Sequence, residues 1–166
     1  MNKNKVWKWS LPLMLLAGAV IFIYVAVTPT FSHEYKQLTQ RLEVGLKYTE
    51  PKDSTMYVLP YVENPNGSDL TFTHNGSNFF GLEILDKQGN VIKGAVTLEA
   101  NEEASPNILK TTLGPGEKES QNHYYKVTLD DEADRIQISY NGKVKDEFGL
   151  DKIEEVIEID VNHLLI

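Results

Sequence analysis

The sequence predicts an all-β domain, an antiparallel β-sandwich, preceded by one N-terminal transmembrane helix. Two observations after residue 41 predict the sandwich. Apolar and polar residues alternate with a period of two, and clusters of Gly, Pro, Asn and Asp interrupt this alternation about every 8 to 12 residues. A third observation concerns the start of the chain, where an uncharged apolar run is long enough for a membrane-spanning helix.

The N-terminal segment, residues 1–31, combines a basic start with this apolar run. No charged side chain occurs from Leu11 to Val27, and three lysines precede the run, at positions 3, 5 and 8. A helix over residues 9–27 covers about 28 Å, close to the roughly 30 Å of a bilayer core. Because basic residues stay on the cytoplasmic side, we expect a single-pass anchor in the cell membrane, with the N-terminus cytoplasmic and the C-terminal domain extracytoplasmic.

The alternative is a cleaved signal peptide and a secreted protein. Cleavage requires small residues at the first and third positions before the cut, and here Tyr24 lies two places before Ala26. Pro29 follows soon afterwards and obstructs processing. We therefore expect an uncleaved anchor, and the absence of cysteine excludes a lipid-modified cysteine as the anchor.

Charge limits the partners of the exported part. The three N-terminal lysines leave 13 of the 16 basic side chains to the residues from Ser32 onward, which hold all 24 acidic ones, for a net charge of −11. We expect no nucleic-acid binding, because that affinity comes largely from basic side chains that neutralise phosphates. An acidic surface favours basic partners or cations. The lack of cysteine also excludes disulfides, thiol catalysis and thiolate metal sites.

The exported part is predicted to consist of a stalk over 32–41 and a β-domain over 42–166. The stalk is polar, and it is either extended or a helical continuation of the anchor. The domain begins with a strand from Leu42 to Tyr48, in which apolar residues alternate with polar ones. Met56 to Val62 is also strand-like, but Pro60 cannot donate a ladder hydrogen bond, which favours an edge strand or a bulge.

Further strands are predicted between clusters of turn residues. They are Leu70–Phe72, Phe79–Leu85, Val91–Ile92, Tyr124–Leu129, Arg135–Tyr140 and Val156–Val161. Asn141-Gly142 is the pair that two-residue hairpins prefer, so we expect a hairpin turn there. The polar stretch from Glu99 to Pro106 indicates a long loop, and Asp151 to Glu155 is compatible with a short helix.

Strand phase predicts which side chains form the core. Seven residues occupy the apolar phase of their strands: Phe72, Phe80, Leu82, Ile84, Val127, Ile136 and Ile138. The same phase places Glu83 on the opposite face. Four strand tyrosines either form an exposed aromatic patch or, as is more usual, pack into the core: Tyr57, Tyr61, Tyr124 and Tyr125.

Three segments carry a resemblance to a known family. Val62–Phe72 contains an asparagine-rich turn, Asn78–Ile92 has a strand, an Asp-x-x-Gly turn and a strand, and Leu113–Glu117 is a Gly-Pro-Gly-Glu turn. In this order the segments resemble the intracellular proteinase inhibitor family of bacilli. The resemblance covers residues 56–129 and implies an immunoglobulin-like β-sandwich from a Gram-positive bacterium. The chain differs from the family in its membrane segment and in the acidic loop around Glu102.

The sequence identifies no catalytic, cofactor-binding or metal-binding residue. The histidines have no spacing typical of metal ligands, and each is interpreted as a surface or turn residue: His33, His74, His123 and His163. No Gly-x-Ser-x-Gly motif is present. The acidic stretch from Asp130 to Asp134 lacks the glycine and the final glutamate of an EF-hand loop and is interpreted as a solvated turn.

The sequence therefore predicts a membrane-anchored extracytoplasmic protein-binding module without catalytic activity. Its candidate partner-binding loop contains Glu99, Glu102 and Glu103, because loops on a rigid scaffold often carry binding residues and an acidic loop selects a basic surface. The alternative is an inhibitor or regulator of an extracytoplasmic protease or another enzyme. In that case the segment from Glu99 to Pro106 would enter the active site.

Overall fold

The computed structural model describes residues 14–17, 29–76, 79–99 and 108–164. Contacts divide the chain into two units, Met1–Thr30 and Phe31–Ile166. In the first unit, residues 14–17 are helical. The described residues of the second unit form eleven strands and a short 3₁₀ helix: β1 (His33–Leu38), β2 (Glu43–Tyr48), β3 (Thr55–Glu63), β4 (Leu70–Asn75), β5 (Phe80–Leu85), β6 (Val96–Glu99), β7 (Ile108–Leu113), β8 (Lys118–Ser120), β9 (Tyr124–Thr128), β10 (Arg135–Asp146), β11 (Gly149–Asp160) and the 3₁₀ helix Val161–Leu164.

The strands form two antiparallel sheets. The first sheet has the order β1-β2-β3-β9-β6, and β8 pairs with β3 beside β9. The second sheet has the order β11-β10-β4-β7, and β5 pairs with β10 beside β4. Among the strands that the structure describes, β11 pairs only with β10, so one edge of β11 is open.

Both sheets contribute side chains to one core, which makes the second unit a β-sandwich. All seven predicted core residues are buried, with at most 7% of any side chain exposed: Phe72, Phe80, Leu82, Ile84, Val127, Ile136 and Ile138. Glu83 is exposed on the opposite face of β5. The predicted all-β class, the antiparallel sandwich and this strand phase are therefore confirmed.

The predicted hairpin turn at Asn141-Gly142 is wrong. β10 continues through both residues, and the chain turns between Asp146 and Gly149. β10 pairs with β5 up to Tyr140, which lies opposite Phe80, and with β4 from Lys143 onward, which lies opposite Thr73. Glycine is required at position 142 for close approach, because a Cβ would lie 2.6 Å from Phe72 Cε2 and 2.8 Å from the Thr73 carbonyl oxygen.

Pro60 does not make β3 an edge strand, contrary to the prediction. On one side β3 pairs with β2 from Val58 to Glu63, with Pro60 opposite Leu46. On the other side β9 pairs with residues 55–58 and β8 with residues 61–63. Pro60 lies in the gap between these two partners, where a missing N–H costs no ladder hydrogen bond.

The predicted stalk over 32–41 contains strand β1, which pairs with β2 throughout its length. The polar sequence of β1 reflects its position at the edge of the first sheet, where most of its side chains are exposed. The sequence predicts no strand at β6, β7 or β8. The predicted strand Val91–Ile92 is wrong, because Val91 forms only an isolated bridge to Leu85. The helix considered for Asp151 to Glu155 is wrong, because these residues belong to β11 and Ile153 packs in the core.

The predicted membrane anchor over 1–31 lies largely outside the described residues. Of the predicted bilayer segment 9–27, the structure describes residues 14–17 alone. Within the described parts of the chain, no helix combines the length and the apolar character that crossing a bilayer requires.

Candidate protein-binding surface

The tip of the β10–β11 hairpin is tied to the first sheet by Arg41. This residue lies in the turn between β1 and β2, where the Thr39 N–H donates to the Leu42 carbonyl over 2.8 Å. Arg41 Nε donates to Asp146 Oδ2 over 2.8 Å, and its two terminal nitrogens contact the carboxylates of Asp146 and Asp151. One guanidinium therefore joins a turn of one sheet to both strands of the hairpin in the other.

Asp146 stabilises the turn in addition to binding Arg41. Its side chain is only 2% exposed, and Oδ1 accepts the Phe148 N–H over 2.7 Å. The hydrogen bond from Arg41 is the main cause that lowers the pKa of Asp146, so its carboxylate stays charged at neutral pH. Because both ends of the turn are fixed in this way, the residues between them are presented on a well-defined backbone.

Two large apolar side chains project from this fixed turn. Phe148 is 78% exposed and Leu150 is 64% exposed. The Arg41 guanidinium lies 5.9 Å from the centroid of the Phe148 ring. Aromatic side chains and arginine are enriched in protein interfaces, and an exposed leucine beside them adds apolar area that a partner could bury. The sequence does not predict these side chains as binding residues, because Asn141-Gly142 predicts the hairpin turn at a different position.

A second charged surface lies on the outer face of the first sheet, around Tyr61. Tyr61 points away from the core but is fully buried, because its ring lies across Gly45, its partner on β2. A Cβ on Gly45 would overlap this ring, so only glycine is accommodated. Lys118 Nζ lies 4.5 Å above the ring centroid, and Lys47 Nζ lies 5.8 Å from it.

The charges around Tyr61 are paired with one another. Glu34 accepts hydrogen bonds from the Tyr61 hydroxyl and from Lys118. These two bonds, with Lys118 the larger cause, lower the pKa of Glu34, while burial and the bond to Glu34 raise the pKa of Tyr61. Glu63 Oε2 is buried without a hydrogen bond, but it lies 3.5 Å from Lys118 Nζ and 3.6 Å from Lys36 Nζ. Lys118 is therefore paired with two carboxylates, whereas Lys47 forms no ion pair with a described residue.

The predicted partner-binding loop is described only in part. Glu99 is the last residue of β6 and is exposed. Glu102 and Glu103 lie outside the described residues, so their role stays a prediction. The Asp130–Asp134 stretch forms a turn with an internal hydrogen bond from the Glu132 N–H to Asp130 Oδ1. Among the residues that the structure describes, no group of three or more acidic or histidine side chains is placed to hold a metal ion.

Two histidines are buried, His74 at 2% exposure and His123 at 8%. His123 lies in the connection between β8 and β9, as the turn interpretation allows, whereas His74 lies in strand β4 and contradicts the surface-or-turn interpretation. The His74 ring packs 4.1 Å from the Phe79 ring, measured between centroids, and its Nδ1 lies 2.7 Å from the Gly76 carbonyl oxygen. Burial lowers the pKa of His74, which favours the neutral ring. The inward phase of β4, shared with Phe72, could have indicated this burial from the sequence.

The four strand tyrosines divide between core and surface. Tyr125 is buried in the core, and its hydroxyl donates to the Phe80 carbonyl over 2.5 Å. Tyr57 and Tyr124 are half-buried and form an edge-to-face pair with ring centroids 5.5 Å apart. Phe31 packs against Tyr124 at 6.1 Å. Tyr61, as described above, is buried on the outer face.

These features define the class of the second unit as a two-sheet antiparallel β-sandwich. No protein-family model matches the chain. No curated protein matches it either.

Solved structures provide weaker similarities. The GAE domain of GGA2p from Saccharomyces cerevisiae is 9% identical, with a TM-score of 0.41, over 76% of this chain and 97% of that one. The GAE domain of yeast GGA1 is 13% identical, with a TM-score of 0.40, over 77% of this chain and 97% of that one. A protein from Archaeoglobus fulgidus is 7% identical, with a TM-score of 0.31, over 76% and 95%.

Proposed function

We propose that this chain is a membrane-anchored, extracytoplasmic protein-binding module of the immunoglobulin-like type, without catalytic activity. The observation that carries the proposal is the exposure of Phe148 and Leu150 on a turn fixed by Arg41 and Asp146. Membrane anchoring rests on the apolar run over residues 9–27 and the lysines before it.

Fixing this turn before binding favours a strong interface. Association costs about 0.5 to 1.5 kcal/mol for each flexible side chain that becomes ordered, and loop ordering adds to this cost. Here the backbone of the tip is already held by the Asp146 contacts, so less ordering remains. Phe148 and Leu150 then bury apolar area against a partner, at about 25 cal/mol per Å².

The test compares capture of a partner by the full chain with capture by a tip variant, Phe148→Ser/Leu150→Ser. Each chain carries the same C-terminal tag and is cross-linked in its native cells before solubilisation. We expect the tip variant to lose at least tenfold in recovery of whatever protein the native chain captures, as truncation of interface anchors does.

Val91→Ser is the matched control, because Val91 is also exposed, at 47%. Val91 bridges to Leu85, which pairs with Arg135 at the far end of β10 from the tip. We expect this control to capture the partner as the native chain does. Full capture by the tip variant, with unchanged melting temperatures for all three chains, would contradict the proposal.

The inhibitor alternative rests on the segment from Glu99 to Pro106. Of this segment the structure describes Glu99 alone, and no described contact favours inhibition.

A further inference from the structure

The outer face of the second sheet gathers four lysines of this acidic chain. Lys143 on β10 lies directly opposite Lys152 on β11. On its other side Lys143 lies opposite Thr73, which in turn lies opposite Lys110 on β7. Lys145 occupies the next row of the same face, opposite Thr71. All four lysines are exposed, and this lysine face therefore spans β11, β10, β4 and β7.

Most of these lysines lack the carboxylate partners that Lys118 has beside Tyr61. Lys110, Lys143 and Lys145 form no ion pair with any residue in the described part of the chain. Lys152 pairs with Glu154, over 2.8 Å, but both side chains are about 70% exposed, at 69% and 71%. Like charges directly opposite each other across strands destabilise a sheet, so the Lys143–Lys152 pair has an energetic cost in the free protein.

Apolar side chains lie beside the lysine face. Leu150 is opposite Lys145 and belongs to the hairpin tip described above. Ile108, which is 71% exposed, shares the outer phase of β7 with Lys110. Thr71, Thr73 and Thr112 add hydroxyl groups between the lysines. Positive charge, hydroxyls and apolar side chains are combined on one sheet face, continuous with the tip.

We infer that the lysine face binds an acidic segment of the partner protein, which enters beside Phe148 and Leu150. This inference rests on the proposed function and adds the chemistry of the partner. Carboxylates of such a segment would relieve the repulsion between Lys143 and Lys152 and pair with Lys110 and Lys145. Charge complementarity of this kind gives specificity and raises the association rate.

The size of the face favours a peptide segment over an anionic membrane. Four adjacent strands extend about 14 Å from the first to the last, and two rows of side chains add about 7 Å along the strands. This area accommodates a short extended segment. A flat membrane would also meet the carboxylates farther along the same face, at Glu83, Glu158 and Asp160, and the net charge of −11 from Ser32 onward would repel it.

The experiment uses the full chain in a neutral detergent and a fluorescein-labelled ten-residue peptide of alternating glutamate and threonine. A peptide with glutamine in place of each glutamate is the probe control. Fluorescence anisotropy is measured for the native chain and for Lys110→Gln/Lys143→Gln/Lys145→Gln. We expect the glutamate peptide to bind, the glutamine peptide not to bind, and the triple variant to bind about tenfold more weakly, since each exposed charge contact is worth up to about a factor of five.

A second triple variant separates the local effect from the net charge. Lys87→Gln/Lys93→Gln/Lys126→Gln removes three exposed positive charges as well, but from other surfaces. We expect its affinity to stay within twofold of the native value. Equal losses in both triple variants, or no binding of the glutamate peptide, would overturn the inference. So would loss of phosphatidylglycerol-vesicle binding in the first triple variant without any peptide effect, because the face would then serve lipid headgroups.

The capture assay distinguishes failure of this inference from failure of the proposed function. If the lysine triple variant keeps full capture while Phe148→Ser/Leu150→Ser loses it, the acidic partner is rejected and the binding module stands. If both variants keep full capture, both proposals are rejected. The combination that supports both is a loss of capture in each variant and none in the two controls.

Discussion

The outer faces of the two sheets use similar residues in opposite ways. On the first sheet, Lys118 lies over Tyr61 and forms ion pairs with both Glu34 and Glu63. On the second sheet, Lys143 and Lys152 face each other across neighbouring strands. The number of charged residues alone does not distinguish the two outer faces. The paired charges on the first face lead us to expect a contribution to stability, whereas for the second face we propose contact with another molecule.

Among tests of this difference between the two faces, the largest effect is expected at Tyr61. Tyr61→Ala removes a fully buried ring and leaves Gly45 uncovered, so we expect a loss of about 3 kcal/mol in the free energy of unfolding. Tyr61→Phe keeps the ring and loses only the hydrogen bond to Glu34, for which about 1 kcal/mol is expected. Urea melts of both variants provide the measurement. If the alanine variant were as stable as the native chain, the first face would not be structural.

A smaller effect is expected when Glu34 is changed to glutamine. The folded-state pKa of Glu34 lies below its ordinary value of 4.5, so its contribution is fully present above about pH 4.5 and is lost as the pH falls through the folded value. We expect the native chain to be more stable than Glu34→Gln at pH 7 and the difference to shrink toward pH 3. Asp86, Asp146 and Asp160, whose pKa values are also lowered, cancel in this comparison. A difference that stays constant between the two pH values would contradict the assignment.

The smallest effect is expected on the second face. Lys143→Gln relieves the repulsion with Lys152 and removes no ion pair with a described residue. We therefore expect stability to rise slightly, by less than about 0.5 kcal/mol. Thermal melts at low salt measure this change, and high salt should abolish it because screening weakens exposed charge interactions. A clear loss of stability would show that Lys143 has a structural role.

The local pattern was sufficient for the core and for most strands. Leu82 and Ile84 alternate with Glu83, and this alternation alone assigns the inner face of β5. The pattern could not locate the hairpin turn, because Asn141-Gly142 meets the sequence preference of a turn while serving a different need. Glycine is required at position 142 because the Phe72 ring occupies the space of a side chain there, and Phe72 belongs to a strand far away in the sequence.

The candidate surfaces depend on strand pairing even more than the core does. The sequence allows Tyr61 to be either exposed or in the core. In the structure it lies on the outer face and is buried there by contacts with Gly45 and Lys118, which come from two other strands. The lysine face is visible in the sequence only as scattered residues. Its four members come together because β11, β10, β4 and β7 are neighbours, and this order follows from long-range pairing.

The open edge of β11 is a surface through which copies of the chain could associate edge to edge. An unpaired strand edge is a template on which identical chains polymerise. β11 contains five carboxylates against one lysine, namely Asp151, Glu154, Glu155, Glu158 and Asp160 against Lys152. Two copies joined at this edge would place rows of negative charge about 5 Å apart. Repulsion between these rows opposes growth of a fibre through the β11 edge.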